Sequence, residues 1–397
     1  MDSGEYITRT MHLLNTASKE NPNKIKLAFT GQSITDPNNT WPADLTEWLR
    51  QKYPFAEIIY KNFAIGGFST DCLYKRMPND IASFYPDLIV CYDMGSHIFY
   101  DRMIKWVREN TTAEIMIQTE HYTQENDWSD TMSYQHLPEI AKRYSAQICD
   151  IRTPWKNYIK DNKLDANLLL SDGTHLNDNG QEFMLELMKQ FFVYREALPR
   201  DEYTTVKRED WQNNKLTLPF TGNRVEVIGG VKQKISVKID GKKPSEIKEA
   251  YIRTPENTGI STRMGIINYK APPLEQTFTI TVKSFQDAEN FIYTAEGSET
   301  GFEGTSDEHG VLDGKYLYMT GESFIFHPAV ENPKAGEQYT FQSVLNGTDF
   351  YDGANPLLIS GIPVGEHVLE LETENEIPDI KAIRIFNPND FRKEYKS

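Results

Sequence analysis

The sequence predicts an α/β domain with a five-stranded parallel sheet, followed by an all-β, jelly-roll-like sandwich domain. In the first half, short apolar runs rich in β-branched residues alternate with helical patterns, which is typical of a parallel doubly wound sheet. After residue 200, short alternating runs are broken by Gly, Pro and Asn. The chain has 397 residues, more than one ordinary domain. We therefore predict domains at residues 1–200 and 201–397.

The elements of the first half follow from hydrophobic periodicity. Apolar runs predict strands at residues 24–30, 56–63, 87–94, 113–119 and 146–151. Amphipathic patterns predict helices at residues 41–50, 71–84, 100–109, 131–144 and 181–194.

The segment Gly31-Gln32-Ser33-Ile34-Thr35 directly follows the first predicted strand. Ligands of open α/β sheets bind outside the carboxyl ends of the strands, so Ser33 lies where a nucleophile is expected. A lone serine in such a place is more often a turn or helix-capping residue. Ser33 by itself is therefore weak evidence for a catalytic nucleophile.

A second segment strengthens the prediction. Asp172 and His175 lie three residues apart, just before the last helical pattern of this half. A serine hydroxyl needs a base to accept its proton, and a carboxylate that fixes the tautomer of the base. Asp172 alone reads as a turn or capping residue, and His175 alone as a loop histidine. Together with Ser33, they predict a Ser-His-Asp triad.

Four sequence blocks in this order resemble those of the SGNH (GDSL-type) hydrolases. They are Gly31-Gln32-Ser33, Asn62 to Gly67, Gly95-Ser96-His97-Ile98, and Asp172 with His175. The resemblance covers about residues 20–195 and implies a flavodoxin-like three-layer fold. It also implies that the backbone N–H groups of Ser33 and Gly67 bind the oxyanion.

Two positions depart from that family's pattern. Gln32 replaces the usual Asp, as in the sialate and plant-polysaccharide acetylesterase groups, and we place it among the substrate-binding residues beside the nucleophile. His97 stands where the family has an Asn that donates to the oxyanion. An imidazole N–H can donate the same hydrogen bond, so we predict that His97 replaces that Asn. The alternative is that His97 is a structural neighbour and the two amides act alone.

Glu120 and His121 follow the fourth predicted strand, at the same edge as the other blocks. We predict that they contact substrate; a surface pair is the equally plausible alternative. His97, His121 and His175 lack the spacing of metal ligands on one element. We predict neither a metal nor a cofactor.

Composition limits the partners. The formal net charge of −16 argues against nucleic acid and anionic membrane surfaces, because phosphates repel such a protein. Cys72, Cys91 and Cys149 are widely spaced and predict free thiols rather than a disulfide framework. No signal peptide is recognisable, so we expect a cytoplasmic protein, or a secreted or periplasmic one if a signal peptide has been removed.

The second half supplies strand patterns at residues 224–228, 234–239, 276–282 and 366–372, with a hairpin turn at Asp240-Gly241. Segments 239–242 and 361–369 loosely resemble carbohydrate-binding jelly rolls. An exposed sugar-stacking surface is one use for the aromatic residues here, although core packing is the commoner one. They are Trp211, Tyr316, Tyr318, Phe324, Phe326 and Tyr351.

The resemblance implies a serine esterase that removes O-acetyl groups from a plant-type polysaccharide or oligosaccharide. Two alternatives stay open: a non-catalytic carbohydrate-binding protein with a degenerate hydrolase domain, and a general short-chain esterase or lipase.

Overall fold

The computed structural model describes residues 2–20, 22–92, 95–196, 203–254, 264–267, 269–328, 330–374 and 376–389. The chain divides into two units. The first comprises Met1–Met77, Phe84–Arg108 and Thr112–Pro199, and the second Pro78–Ser83, Glu109–Thr111 and Arg200–Ser397. The predicted boundary at residues 200 and 201 lies outside the described residues.

A five-stranded parallel sheet organises the first unit, as predicted. Its strands are β1 Lys24–Gly31, β2 Glu57–Asn62, β3 Leu88–Tyr92, β4 Glu114–Gln118 and β5 Gln147–Cys149. The spatial order is β2-β1-β3-β4-β5, which is the flavodoxin-like order. Every residue of β3 and β4 is buried, as expected for strands covered on both faces. Residues 93 and 94 of the predicted third strand lie outside the described residues.

In the part of the chain that the structure describes, eight α-helices lie before residue 196. They are α1 Thr8–Thr16, α2 Trp41–Lys52, α3 Thr70–Phe84, α4 His97–Asn110, α5 Asp127–Thr131, α6 Leu137–Tyr144, α7 Arg152–Asp161 and α8 Asp178–Lys189. The sequence did not predict the short α5, nor the longer α1 and α7. The buried faces of α1 and α7 include Arg9 and Arg152, so the apolar period that marks a helix is interrupted in both.

The predicted helix at residues 131–144 is divided by a π-helical turn, Met132–His136. There the Leu137 N–H donates to the Met132 carbonyl, five residues back. Pro138 has no N–H, and its ring would clash with the carbonyl four residues earlier in a regular helix. The wider turn avoids that clash, and such turns often occur at functional sites.

Strands dominate the second unit. They are β6 Tyr203–Thr205, β7 Trp211–Gln212, β8 Lys215–Ile228, β9 Gly230–Ile239, β10 Tyr251–Thr254, β11 Met264–Ile266, β12 Gln276–Asp287, β13 Asn290–Gly297, β14 Gly301–Thr305, β15 Leu312–Asp313, β16 Tyr318–Met319, β17 Phe324–Phe326, β18 Gln338–Leu345, β19 Phe350–Ala354, β20 Leu357–Glu372 and β21 Ala382–Phe386. In the described residues, the strands of this unit pair with one another in antiparallel fashion.

Two larger sheets carry most of these strands. One is seven-stranded, in the order β19-β9-β20-β8-β21-β6 with β7 paired to β8; the other is five-stranded, in the order β10-β18-β12-β13-β14. The predicted turn at Asp240-Gly241 is present, with positive φ at both residues as a type I′ turn requires.

The aromatic residues considered for a sugar-stacking surface differ in exposure. Tyr316 and Tyr318 are exposed, whereas Trp211 and Tyr351 belong to the core. No described helix is long and apolar enough to cross a membrane.

Candidate active site

The turn that carries Ser33 is fixed at both ends. Gly31 ends β1 beside Tyr92 of β3, and a Cβ at Gly31 would lie 2.2 Å from the Tyr92 carbonyl oxygen, so only glycine fits. The Gln32 carbonyl then accepts from the N–H groups of Thr35 and Asp36, at 2.9 Å each. These bonds form a tight turn with Ser33 inside it, and Ser33 is half-buried.

Two amide side chains brace this turn from outside. Asn39 donates its side-chain N–H to the Ser33 carbonyl, and its Oδ1 accepts from Gln181 Nε2 at 2.6 Å. Gln181 lies in α8, which begins just after the loop with Asp172 and His175. The two loops that carry the predicted triad are therefore tied together through Asn39 and Gln181.

The loop from Leu170 to Leu176 is closed by an isolated β-bridge between those two residues. Within it, the Asp172 carboxylate folds back on its own backbone. Its Oδ1 accepts from the N–H groups of Thr174 at 3.1 Å and His175 at 2.8 Å. This is the turn-forming behaviour expected of Asp, and it aims the second carboxylate oxygen at the His175 ring.

A chain of hydrogen bonds joins the three predicted residues. His175 Nδ1 lies 2.7 Å from Asp172 Oδ2, and His175 Nε2 lies 2.9 Å from Ser33 Oγ. A carboxylate only accepts, so Nδ1 carries the proton of the neutral ring and Nε2 can accept the Ser33 hydroxyl proton. The arrangement can move a proton from Ser33 to His175 and stabilise the resulting imidazolium.

The electrostatics of Asp172 agree with this arrangement. The hydrogen bonds from the His175 backbone and ring, and then from the Thr174 backbone, lower the pKa of Asp172 to about 2. Each of these bonds favours the ionised carboxyl group. Asp172 is therefore charged at neutral pH and available to the ring of His175.

The resemblance assigns the backbone N–H groups of Ser33 and Gly67 to the oxyanion. Within the part of the chain that the structure describes, the N–H groups of Ser33 and Gly67 make no hydrogen bond. Gly67 is exposed and has a φ of 79°, a conformation that favours glycine. Asn62 shapes the turn before it by donating to the Thr35 carbonyl at 2.6 Å and accepting from the Ala64 N–H at 3.0 Å.

His97 is exposed at the first residue of α4. Its ring stacks on His136, with centroids 3.9 Å apart and an interplanar angle of 5°. Both rings line a cavity of about 230 Å³ between α4 and α6. The other residues around that cavity are mostly charged: Ile98, Asp101, Arg102, Glu139, Ile140 and Arg143. A stacked ring keeps its N–H groups free to donate in the ring plane.

The structure corrects the prediction that Glu120 and His121 contact substrate. Glu120 is 7% exposed and His121 is 0% exposed. Both ring nitrogens of His121 are engaged, Nδ1 with Tyr92 Oη at 3.0 Å and Nε2 with the Thr174 carbonyl at 2.9 Å. The buried Arg152 guanidinium also donates to the His121 carbonyl at 3.1 Å.

Several residues of the site carry no sequence signal. Asn39, Tyr92, Arg152 and Gln181 act through side-chain hydrogen bonds to distant segments, which periodicity does not reveal. Gln32, by contrast, is a predicted site residue and is half-buried beside Ser33, where its carbonyl shapes the turn.

No family model and no curated protein matches the sequence. Among solved structures, the chain is similar to the acetyl xylan esterase AlAXEase, with 23% identity over 42% of this chain and 98% of that one, at a TM-score of 0.37. It is also similar to Axe2, an acetylxylan esterase from Geobacillus stearothermophilus, with 17% identity over 45% of this chain and 99% of that one, at a TM-score of 0.40. A two-domain esterase (CEX) active on acetylated mannans matches with 12% identity over 96% of this chain and 95% of that one, also at 0.40. At these TM-scores, the function of this chain has to be argued from its own residues.

Proposed function

We propose that this protein is a serine esterase that removes O-acetyl groups from a plant-type polysaccharide or oligosaccharide. The observation that carries the proposal is the hydrogen-bonded chain from Ser33 Oγ through the His175 ring to the Asp172 carboxylate. The unbonded N–H groups of Ser33 and Gly67 support it. The carbonyl oxygen of the ester becomes negative in the tetrahedral intermediate, and such N–H groups can stabilise that charge.

The reaction would proceed through an acyl-enzyme. Ser33 Oγ attacks the acetyl carbonyl carbon while His175 Nε2 takes the hydroxyl proton, and Asp172 stabilises the imidazolium. When the bond to the sugar oxygen breaks, His175 gives that proton to the departing oxygen, which leaves as a sugar hydroxyl. Water then attacks the acetyl-Ser33 ester and loses a proton to His175. Acetate leaves, and Ser33 recovers its proton.

Two further observations support an acetylated sugar as the substrate. The resemblance to the acetylesterase groups that share Gly-Gln-Ser points to acetylated glycans. The cavity beside His97 is lined by two histidines and four charged side chains, which could hydrogen-bond the hydroxyl groups of a sugar.

Acetate release from a panel of natively acetylated glycans tests this function, with Ser33→Ala as the inactive control. We expect release from at least one acetylated xylan, mannan, xyloglucan or pectin, and none with Ser33→Ala. A companion series of chromogenic esters tests acyl length. Activity that rises from acetate to octanoate would favour a lipase, and binding of glycans without any hydrolysis would favour the non-catalytic alternative.

The role of His97 as third oxyanion donor has a separate test. His97→Ala is expected to lower kcat about 10²-fold or more, because one donor is lost, while His97→Asn restores a donor and much of the rate. His136→Ala is the matched control, since it removes the stacking partner and leaves the donor in place. Equal activity of the Ala and Asn variants would make His97 a structural neighbour.

A further inference from the structure

His121 connects the loop of Asp172 and His175 to the interior of the first unit. Its Nε2 lies 2.9 Å from the Thr174 carbonyl, and its Nδ1 lies 3.0 Å from Tyr92 Oη. A carbonyl oxygen can only accept, so Nε2 carries the ring proton. Nδ1 then accepts the Tyr92 hydroxyl proton, and both bonds favour the same neutral tautomer.

Thr174 occupies a central place in that loop. Its N–H donates to Asp172 Oδ1 at 3.1 Å, and its carbonyl carbon is bonded to the nitrogen of His175. A shift of the Thr174 peptide would therefore move the carboxylate and the imidazole together. At 0% exposure, His121 holds this peptide from the buried side.

The exposure of the loop makes such an anchor necessary. The side chains of Asp172 and His175 are 54% and 45% exposed, so core packing holds neither of them tightly. His121 itself is held by the Arg152 guanidinium on its carbonyl and by the edge of Trp155, with ring centroids 5.4 Å apart.

We propose that His121 is a positioning residue for hydrolysis: through Nε2–H and the Thr174 carbonyl it fixes the loop that presents His175 to Ser33. This role rests on the proposed esterase function. His121 touches neither substrate nor the reacting atoms. Burial lowers the pKa of His121 to about 4. The hydrogen bond to Thr174 acts in the opposite direction, but its effect is smaller. The ring is therefore neutral at the pH at which the enzyme would work.

Three substitutions at His121 test this role. His121→Gln can donate to the Thr174 carbonyl and accept from Tyr92, His121→Asn is one methylene shorter, and His121→Leu removes both hydrogen bonds. Met103→Ala in α4 is the control for stability, because Met103 is fully buried and belongs to no part of the site. Thermal unfolding of every variant accompanies the kinetics.

Two rates are measured: kcat and KM for a chromogenic acetate, and the labelling of Ser33 by a fluorophosphonate, which needs only an activated serine. We expect His121→Leu to lower kcat and the labelling rate about 10²-fold, with KM nearly unchanged, because misplacing a catalytic group costs about that much. His121→Gln should restore most of the loss and His121→Asn less. Met103→Ala should lower the melting temperature while keeping kcat.

The role is overturned if His121→Leu and His121→Asn both keep the wild-type rates, or if Met103→Ala lowers kcat as much as His121→Leu does. If His121→Leu does not fold, the rates of His121→Gln and His121→Asn are compared instead. Equal rates for these two variants would contradict the role. Wild-type labelling at Ser33 without acetate release from any glycan would overturn the proposed substrate but leave this test intact. Absence of labelling in the wild type would overturn both.

Discussion

At the scale of single residues, the Asp172 carboxylate both holds the backbone of its loop and contacts the His175 ring. One of its oxygens holds the N–H groups of Thr174 and His175, and the other faces His175 Nδ1. The same side chain therefore shapes the loop and fixes the tautomer of the base. An Asn at this position could keep the turn through its carbonyl oxygen, but it could not fix the tautomer of the base.

Asp172→Asn is expected to lower kcat by about 10³–10⁴-fold, because an amide that donates to Nδ1 selects the wrong tautomer of His175. The assay is hydrolysis of a chromogenic acetate at pH 7.5. Asp178→Asn, which alters an exposed carboxylate in the first turn of α8, serves as the control and should keep its rate. A normal kcat for Asp172→Asn would show that another group orients the base.

The buried His121 predicts a pH dependence of stability. Its pKa is about 4 in the folded protein and about 6.5 when unfolded, so the unfolded chain binds the proton more tightly between these values. The free energy of unfolding should therefore fall as the pH drops from 6.5 towards 4. Between pH 7 and pH 5 the His121 contribution is about 2 kcal/mol.

Urea unfolding at pH 7 and pH 5 measures this contribution, with His121→Gln as the matched variant that cannot titrate. The wild type should lose more stability than the variant over that interval. An equal loss in both proteins would mean that His121 is not kept neutral by burial.

The sequence points to Ser33, His175 and Asp172, which are hydrogen-bonded in the structure, because each is a reactive residue type placed just after a strand or just before a helix. His121 shares the same placement, after β4, but it turns inward. What separates these residues is burial, and burial of a loop residue depends on distant partners such as Arg152 and Tyr92. For the same reason, sequence alone could not distinguish a substrate contact from an anchor.

At the scale of elements, the carboxyl end of β1 is tightly constrained. Gly31 is paired with Tyr92 in the sheet, and a side chain there would collide with the Tyr92 carbonyl oxygen. The collision is with backbone, which cannot move aside without breaking the pairing of β1 and β3. Ser33 lies two residues farther on, so strain at Gly31 is expected to reach the nucleophile.

Gly31→Ala is expected to destabilise the protein by at least about 1–3 kcal/mol, the usual cost of overpacking a tight site. Differential scanning calorimetry measures the change. Gly336→Ala is the comparison, because a Cβ there meets nothing within 4 Å and only the positive φ of 88° opposes it. Equal melting temperatures for the two variants would contradict the steric account.

The strands of the sheet were predictable because β1 to β5 are apolar runs of ordinary length. The helices α1 and α7 were not, since Arg9 and Arg152 lie on their buried faces. These guanidinium groups donate to backbone carbonyls of Asp87 and Thr112 in one case and of His121 in the other. Periodicity counts such residues as solvent-facing, and their buried partners lie far away in sequence.

At the scale of the whole molecule, the order of strands in the first unit explains where the chemistry gathers. The chain moves from β1 outward to β2 and then back past β1 to β3, so β1 and β3 are neighbours at the point where the order reverses. Ligand sites of open α/β sheets lie at this point. The segment of Ser33 follows β1, and the segment of His97 follows β3.

In the second unit, the sequence pattern predicts strands but not how they pair. Alternation along the chain predicted an all-β domain, and the hairpin dipeptide Asp240-Gly241 predicted its turn. The pairing of β20 with both β8 and β9 joins residues more than a hundred positions apart. Such register is set by packing, as in the cluster of Val225, Val237 and Leu369, and not by local propensity.

Direct capture of the acyl-enzyme tests the triad most directly. Wild-type protein mixed with excess chromogenic acetate and quenched in acid is digested and examined by mass spectrometry. We predict one acetyl group, on the peptide that contains Ser33, and no acetylated peptide in His175→Ala. Acetyl on a different residue, or hydrolysis at the wild-type rate by Ser33→Ala, would contradict the assignment of Ser33 as nucleophile.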